Sequence, residues 1–260
     1  MAADIRIDHV VALASSPEKA ALGLAPLGLA AKAGGRHATW GTANVLVPLR
    51  AAYLEFLGAE DSAVAQRSEF GRSVLEGLSR GDGLWRVALG TGDMSATLAA
   101  LTAQGIAVQG PVPGERLRPD GTRLRWQLAF PEAPREGGTP PMLIAWGDRA
   151  QAPYAPADLA SPTIAWIGVA TCDPRRLAQW YATAFGLPAQ EMSTEAFGPA
   201  WRVTCRGGDL LLVGGAGAGR EVRAILAEEG PGPFAVALRR EGATRREVAV
   251  GHGRYSLSDI

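Results

Sequence analysis

Ile7-Asp8-His9-Val10-Val11-Ala12-Leu13 reads as a β-branched strand, and the chain repeats that reading twice. It returns 157 positions on as Ile164-Ala165-Trp166-Ile167-Gly168-Val169-Ala170, and 77 positions on at Leu84-Trp85-Arg86-Val87-Ala88-Leu89. The offset of 157 also carries Ser16-Pro17 onto Asp173-Pro174, and Tyr53-Leu54-Glu55-Phe56 onto Leu210-Leu211-Leu212-Val213. The offset of 77 carries Ser16 onto Asp93 and Leu27-Gly28-Leu29 onto Gln104-Gly105-Ile106. A fourth start, Gly232-Pro233-Phe234-Ala235-Val236-Ala237-Leu238, echoes Gly83–Leu89 with room for only a truncated unit. Each match is short; their shared order and spacing carry the inference of an internal repeat.

Within each unit the strand ends near a Ser or Asp suited to cap a helix: Ser16 with Pro17, Asp93, and Asp173 with Pro174. An Ala/Leu-rich stretch then runs to a glycine stop. Strand-like runs follow: 43–49 and 52–57, then 123–130 and 142–146, then 200–205 and 209–213. The unit is therefore βαβββ, a small sheet covered on one face by a helix, and the class is α+β. Glycine and proline, 33 and 18 of 260 residues, cluster at connections, among them 110–114, 137–141 and 214–219. The Pro/Ala-rich stretch 148–162 reads as a linker, giving expected regions at 1–150 and 160–260.

Composition narrows the function. Twenty-six basic residues balance 26 acidic ones, and 47% of residues are hydrophobic, so a sizeable core is expected and disorder is not. No basic excess favours nucleic acid or an anionic membrane surface, and no apolar run approaches a membrane span. The opening MAADIRIDHV lacks a secretory h-region. Cys172 and Cys205 make no disulfide framework and read as small buried residues. A reduced, cytoplasmic setting follows. The 214–219 glycine run lacks both a Lys-Ser/Thr ending and GxGxxG spacing, so it reads as a connection.

The tandem βαβββ unit, with His-Val on its first strand and Leu-Glu-Phe on its last, resembles the vicinal-oxygen-chelate superfamily of glyoxalases, extradiol dioxygenases and bleomycin-sequestering proteins. Within it, Ile7–Val11, Gly34–Asn44, Leu46–Leu49, Tyr53–Phe56 and Arg118–Trp126 resemble the glyoxalase-like domain group. That likeness spans about residues 4–147; beyond 160 only the general unit is similar. The resemblance implies two units curled into a cup, each giving a metal ligand from its first and last strands. Those places fall on His9 and Glu55, then on Arg86 and a residue within 143–145, most plausibly Ala145. In the third unit they fall on Trp166 and Leu212.

Imidazole and carboxylate suit a divalent metal, but a guanidinium has no free lone pair and alanine no donor. The resemblance thus implies half a metal site. His37 could complete a two-His, one-carboxylate set; the stronger reading pairs Arg86 with Glu55 across the cup. No cofactor is the expectation, with a divalent metal on His9 and Glu55 as the alternative.

Strand alternation puts Leu124, Trp126 and Leu128 under a helix, and Arg123, Arg125 and Gln127 on the opposite face. The expected cup therefore gathers His9, Glu55 and Arg86 as reactive groups, with His37, Trp40, Asn44, Arg123, Arg125 and Gln127 contacting ligand. Bland roles stay open: a solvated face for the arginines, a satisfied core for His9 and Trp40, and a loop or lid for His37. Three functions follow. One is a small polar or anionic metabolite bound in the N-terminal cup, with any catalysis by side chains. The others are a metal-dependent lyase, isomerase or dioxygenase, and a non-catalytic sequestering protein. A homodimer or intramolecular docking would cover the open edge of the truncated unit.

Overall fold

A computed structural model of the chain describes residues 4–117, 121, 123–132, 134, 140–148, 152, 154 and 161–259. The first unit holds β1 (Arg6–Leu13), α1 (Pro17–Leu22), β2 (Lys32–His37), β3 (Thr42–Leu49) and β4 (Ala52–Ala59). Helices α2 (Ser62–Ala65) and α3 (Glu69–Leu78) lead to β5 (Gly83–Gly90), α4 (Met94–Ala103), β6 (Val108–Leu117), β7 (Arg123–Pro131) and β8 (Met142–Trp146). The third unit runs β9 (Thr163–Thr171), α5 (Pro174–Phe185), β10 (Ala189–Thr194), β11 (Gly198–Val203) and β12 (Asp209–Gly214). Helix α6 (Arg220–Glu228) precedes β13 (Gly232–Arg239), β14 (Arg246–Val250) and β15 (Gly253–Ser258), a last unit without its own covering helix.

The helices begin where short polar side chains satisfy their orphan amides. Asp93 accepts from the Ala96 amide and Asp173 from the Arg176 amide, both at 2.9 Å. Ser16 stands at the start of α1 without a side-chain bond, so Pro17 carries that start. Gly186 ends α5 in the left-handed region, at φ 67°.

Two curled, mixed sheets result. The eight-stranded sheet runs β2-β3-β4-β1-β5-β8-β7-β6, one four-strand order and its repeat joined through the antiparallel pair β1–β5. The seven-stranded sheet, β10-β11-β12-β9-β13-β15-β14, repeats the plan one strand short. Val10 faces Val87, its counterpart at the 77 offset, so a local twofold passes through that pair. Ile167 faces Val236 in the same way in the second sheet.

The helix-covered faces of the two sheets form one core. Val10, Leu54, Phe56 and Leu89 of the first cluster with Ile167, Leu212, Val236 and Tyr255 of the second. The Phe56 and Tyr255 rings lie 6.3 Å apart, and the Ile7 amide donates to the Arg206 carbonyl at 2.7 Å. The opposite, concave faces carry separate clusters. Phe70 and Val74 of α3 plug the first cup, and Val222 of α6 packs into the second.

Several expectations are corrected here. Residues 110–114, read as a connection, belong to β6, an edge strand whose unpaired side tolerates Pro111 and Pro113. His37 is the last residue of strand β2 rather than part of a loop or lid, and residues 38–41 turn the chain into β3. Helices α3 and α6 went unread, whereas the 214–219 run is the expected connection, from the end of β12 to the cap of α6. Cys172 is exposed beyond the end of β9, whereas Cys205 is buried. Most of the 148–162 linker and of the 137–141 cluster lies outside the described residues, as do positions 118–120 and 122.

Candidate functional site

The first cup is built around a break in alternation. A bulge in β1 between Ile7 and His9 sends Ile7 into the shared core and His9 into the cup. It also brings Asp8 round to the His9 ring. His9 Nδ1 lies 2.8 Å from Asp8 Oδ1, and His9 Nε2 lies 3.3 Å from Glu55 Oε2. Asp8 is fully buried and accepts further bonds from Trp146 Nε1, at 3.1 Å, and from the Tyr154 hydroxyl. Tyr53 stacks on the far face of the imidazole, with ring centroids 4.4 Å apart.

On the other side of Glu55, the Asn44 amide donates to Oε1 at 2.5 Å, and Arg116 Nη1 donates to Asn44 Oδ1 at 3.3 Å. Gly34 makes this possible, because a Cβ there would sit 1.9 Å from Asn44 Oδ1. The result is a largely buried row, Arg116–Asn44–Glu55–His9–Asp8, whose first four members line one wall of a small cavity. Trp40, Phe70, Leu128, Met142 and Ile144 supply the apolar remainder. About 30 Å³ is open to the centres of water-sized molecules, room for roughly one or two waters.

Burial alone would lower the His9 pKa, but hydrogen bonds to the Asp8 and Glu55 carboxylates outweigh it and raise it to about 9. Burial works against the Glu55 carboxylate too; the bond to His9 and the Asn44 amide hold it down at about 2. Burial, with Arg116 nearby, pushes His37 down to about 4 despite the Glu55 charge, so its imidazole is neutral. His37 Nδ1 meets Thr42 Oγ1 at 2.9 Å. At neutral pH the cup therefore holds an ion pair beside a neutral imidazole.

His9, Glu55, His37, Trp40 and Asn44 all line this cavity, and the structure brings them together. Arg86 stands apart. It is the strand equivalent of His9, but its guanidinium lies 4.7 Å from the Trp85 ring centroid and 5.8 Å from that of Phe130. No ion pair joins it to Glu55, whose polar needs His9 and Asn44 already meet. Burial lowers the Arg86 pKa. Arg123, Arg125 and Gln127 point away from the cup and are exposed, the two arginines facing Glu115. Leu124, Trp126 and Leu128 face inward instead. The expected polarity of β7 is thus reversed, because α3 fills the cup and makes its lining apolar.

Strand register also corrects the fourth ligand place. Ala88 pairs with Met142 as Val11 pairs with Glu55, so Met142, not Ala145, is the counterpart of Glu55. In the second sheet Gly168 pairs with Leu211, so Leu211 replaces Leu212. The metal-ligand places of the first cup are therefore His9, Glu55, Arg86 and Met142. Imidazole and carboxylate at His9 and Glu55 suit a divalent ion, but the Arg86 guanidinium has no free lone pair and the Met142 thioether is a poor ligand for a hard ion, so two of the four places do not fit. No group of three or more His, Cys, Asp or Glu side chains is gathered for a metal among the described residues. Asp8, Arg116, Trp146 and Tyr154 escaped the sequence reading. The bulge hid Asp8, the proline-rich edge strand hid Arg116, and Trp146 and Tyr154 meet Asp8 from about 140 positions away.

A model of the glyoxalase-like domain family matches residues 7–185, and the chain belongs to that family. Among solved structures, a hypothetical protein from Staphylococcus aureus is similar over 98% of this chain and all of its own, at 15% identity and a TM-score of 0.79. A mutant of 4-hydroxymandelate synthase from Streptomyces coelicolor is similar over 93% of this chain and 72% of its own, at 16% identity and a TM-score of 0.58. Methylmalonyl-CoA epimerase from Mycobacterium tuberculosis matches 56% of this chain and 91% of its own, at 19% identity and a TM-score of 0.42. At these identities the first two likenesses show the fold alone. No curated protein matches the sequence at a significant level. No helix among the described residues is long and apolar enough to cross a membrane.

Proposed function

We propose that the N-terminal cup binds the head of a small polar or anionic metabolite through the charged row around His9 and Glu55, without a resident metal. The observation that carries this is the hydrogen-bonded row Arg116–Asn44–Glu55–His9–Asp8, buried against a cavity that already admits water. Such a row is costly to bury and useful where a ligand's polar atoms replace water. A head group larger than a water or two enters by displacing Phe70 or Trp40 from the plug.

Binding fits this geometry better than proton transfer. A histidine that stays protonated to about pH 9 is a poor base at neutral pH. Its partner carboxylate, held near 2, is equally weak. Two free cysteines, one of them exposed, suit a reducing compartment.

The test is a thermal-shift and ligand-observed NMR screen of polar metabolites, with metal analysis of protein purified without chelator. Hits should vanish in Glu55→Gln and Asn44→Leu, and metal should stay far below one ion per chain. Stoichiometric metal that disappears in Glu55→Ala would overturn the reading, as would hits indifferent to both variants.

A further inference from the structure

Beside the cup, on the far side of Trp40 and Phe70, lies a second cavity of about 410 Å³. Trp40 and Phe70 line both spaces and partition them. The rim cavity is walled by those two rings with Phe130 and Val112, and Arg86 enters it from β5. Arg86 is half-buried, its Nε is buried without a hydrogen-bond partner, and it forms no ion pair with any described residue. A cation in that setting keeps its stacking on Trp85 and Phe130 but lacks a counter-charge. Of the hydroxyls nearby, Ser73 donates to the Phe70 carbonyl at 2.8 Å, and Ser68 accepts from the Gly71 amide at 3.0 Å. Glu69 lines the mouth, exposed and unpaired with Arg86, which disfavours a dianion there.

We propose that Arg86 anchors the carboxylate of a small aromatic acid in this rim cavity, a site independent of the cup's inner row. A planar guanidinium matches a carboxylate's two oxygens, and three aromatic walls suit a flat apolar tail. The volume falls within the range of small-molecule sites.

The probes are benzoate and its neutral isostere benzamide, titrated into the full chain by tryptophan fluorescence and saturation-transfer NMR. Benzoate should bind saturably, and benzamide at least ten-fold more weakly. Arg86→Gln should weaken benzoate at least ten-fold while leaving benzamide within about two-fold. Because Arg86→Gln could disturb β5, Gln109→Trp gives a second route: exposed on β6 and lining the same cavity, it occupies that space while leaving the Arg86 guanidinium in the chain. It should abolish benzoate binding. Equal affinity for the two probes, absence of saturable benzoate binding, or benzoate binding untouched by Gln109→Trp overturns the proposal. The last result would place the aromatic acid in the inner cup.

Discussion

His9 is the residue on which the cup's electrostatics turn. Both of its ring nitrogens meet carboxylates, so its folded pKa of about 9 exceeds the unfolded value near 6.5. The stabilisation this gives is fully present below pH 6.5 and is lost as pH rises through 9. Glu55 and His37 act in the other direction. Glu55 stabilises above its unfolded pKa near 4.5, and that contribution is lost as pH falls toward 2. The neutral, buried His37 stabilises above pH 6.5, and that is lost as pH falls toward 4. Urea unfolding followed across pH should therefore show greatest stability near pH 6.5 and a decline of on the order of 1–3 kcal/mol by pH 9. Glu55→Gln should shrink the alkaline decline, since it removes one of the two carboxylates that keep the proton on His9. A wild-type curve that is flat or rising from pH 6.5 to 9 would contradict the ion-pair assignment. Of this arrangement, His9 and Glu55 were legible from their strands, and Asn44 was expected in the cup without a periodicity to place it. Asp8 was not, because a one-residue bulge moved it to the face that alternation denied it.

Helix α3 decides what the cup can hold. Its sequence, Glu69-Phe70-Gly71-Arg72-Ser73-Val74, places Phe70 and Val74 four apart on one face, and the Ser68 cap starts it at the cup's rim. The Phe70 ring lies 4.7 Å from Trp40 and 6.2 Å from Phe130, so one side chain ties the β2–β3 turn of the first unit to β7 of the second. Phe70→Ala should cost about 3–5 kcal/mol, because the cavity it leaves opens into space that cannot collapse against a sheet. Urea unfolding checks the number, and a loss under about 1 kcal/mol would mean that α3 does not hold the cup shut. This plug also explains the reversed polarity of β7. Alternation correctly separated Leu124, Trp126 and Leu128 from Arg123, Arg125 and Gln127, yet could not say which set faced the cup. Once α3 supplies apolar atoms to the concave face, the apolar set belongs there and the arginines face solvent.

At the scale of the whole molecule, the two sheets are not strung side by side but share a core through their helix-covered faces. Phe56 of β4 meets Tyr255 of β15, and Tyr255 is fully buried. Scanning calorimetry should therefore give one cooperative transition, and Tyr255→Ala should lower its midpoint without splitting it. Two resolved transitions would contradict the shared core. The chain's own residues determined the repeating βαβββ units, the caps at Asp93 and Asp173, and the truncation of the last unit, because these rest on periodicity and local hydrogen bonding. The offset of 77 even marks the Val10–Val87 pair on the local twofold. Tertiary structure alone decided that Met142 stands opposite Glu55, that Arg86 turns to the rim, and that Arg116 reaches Asn44 from 72 positions away. Register, bulges and the filling of a concavity depend on contacts between segments far apart in the chain, and no local pattern encodes them.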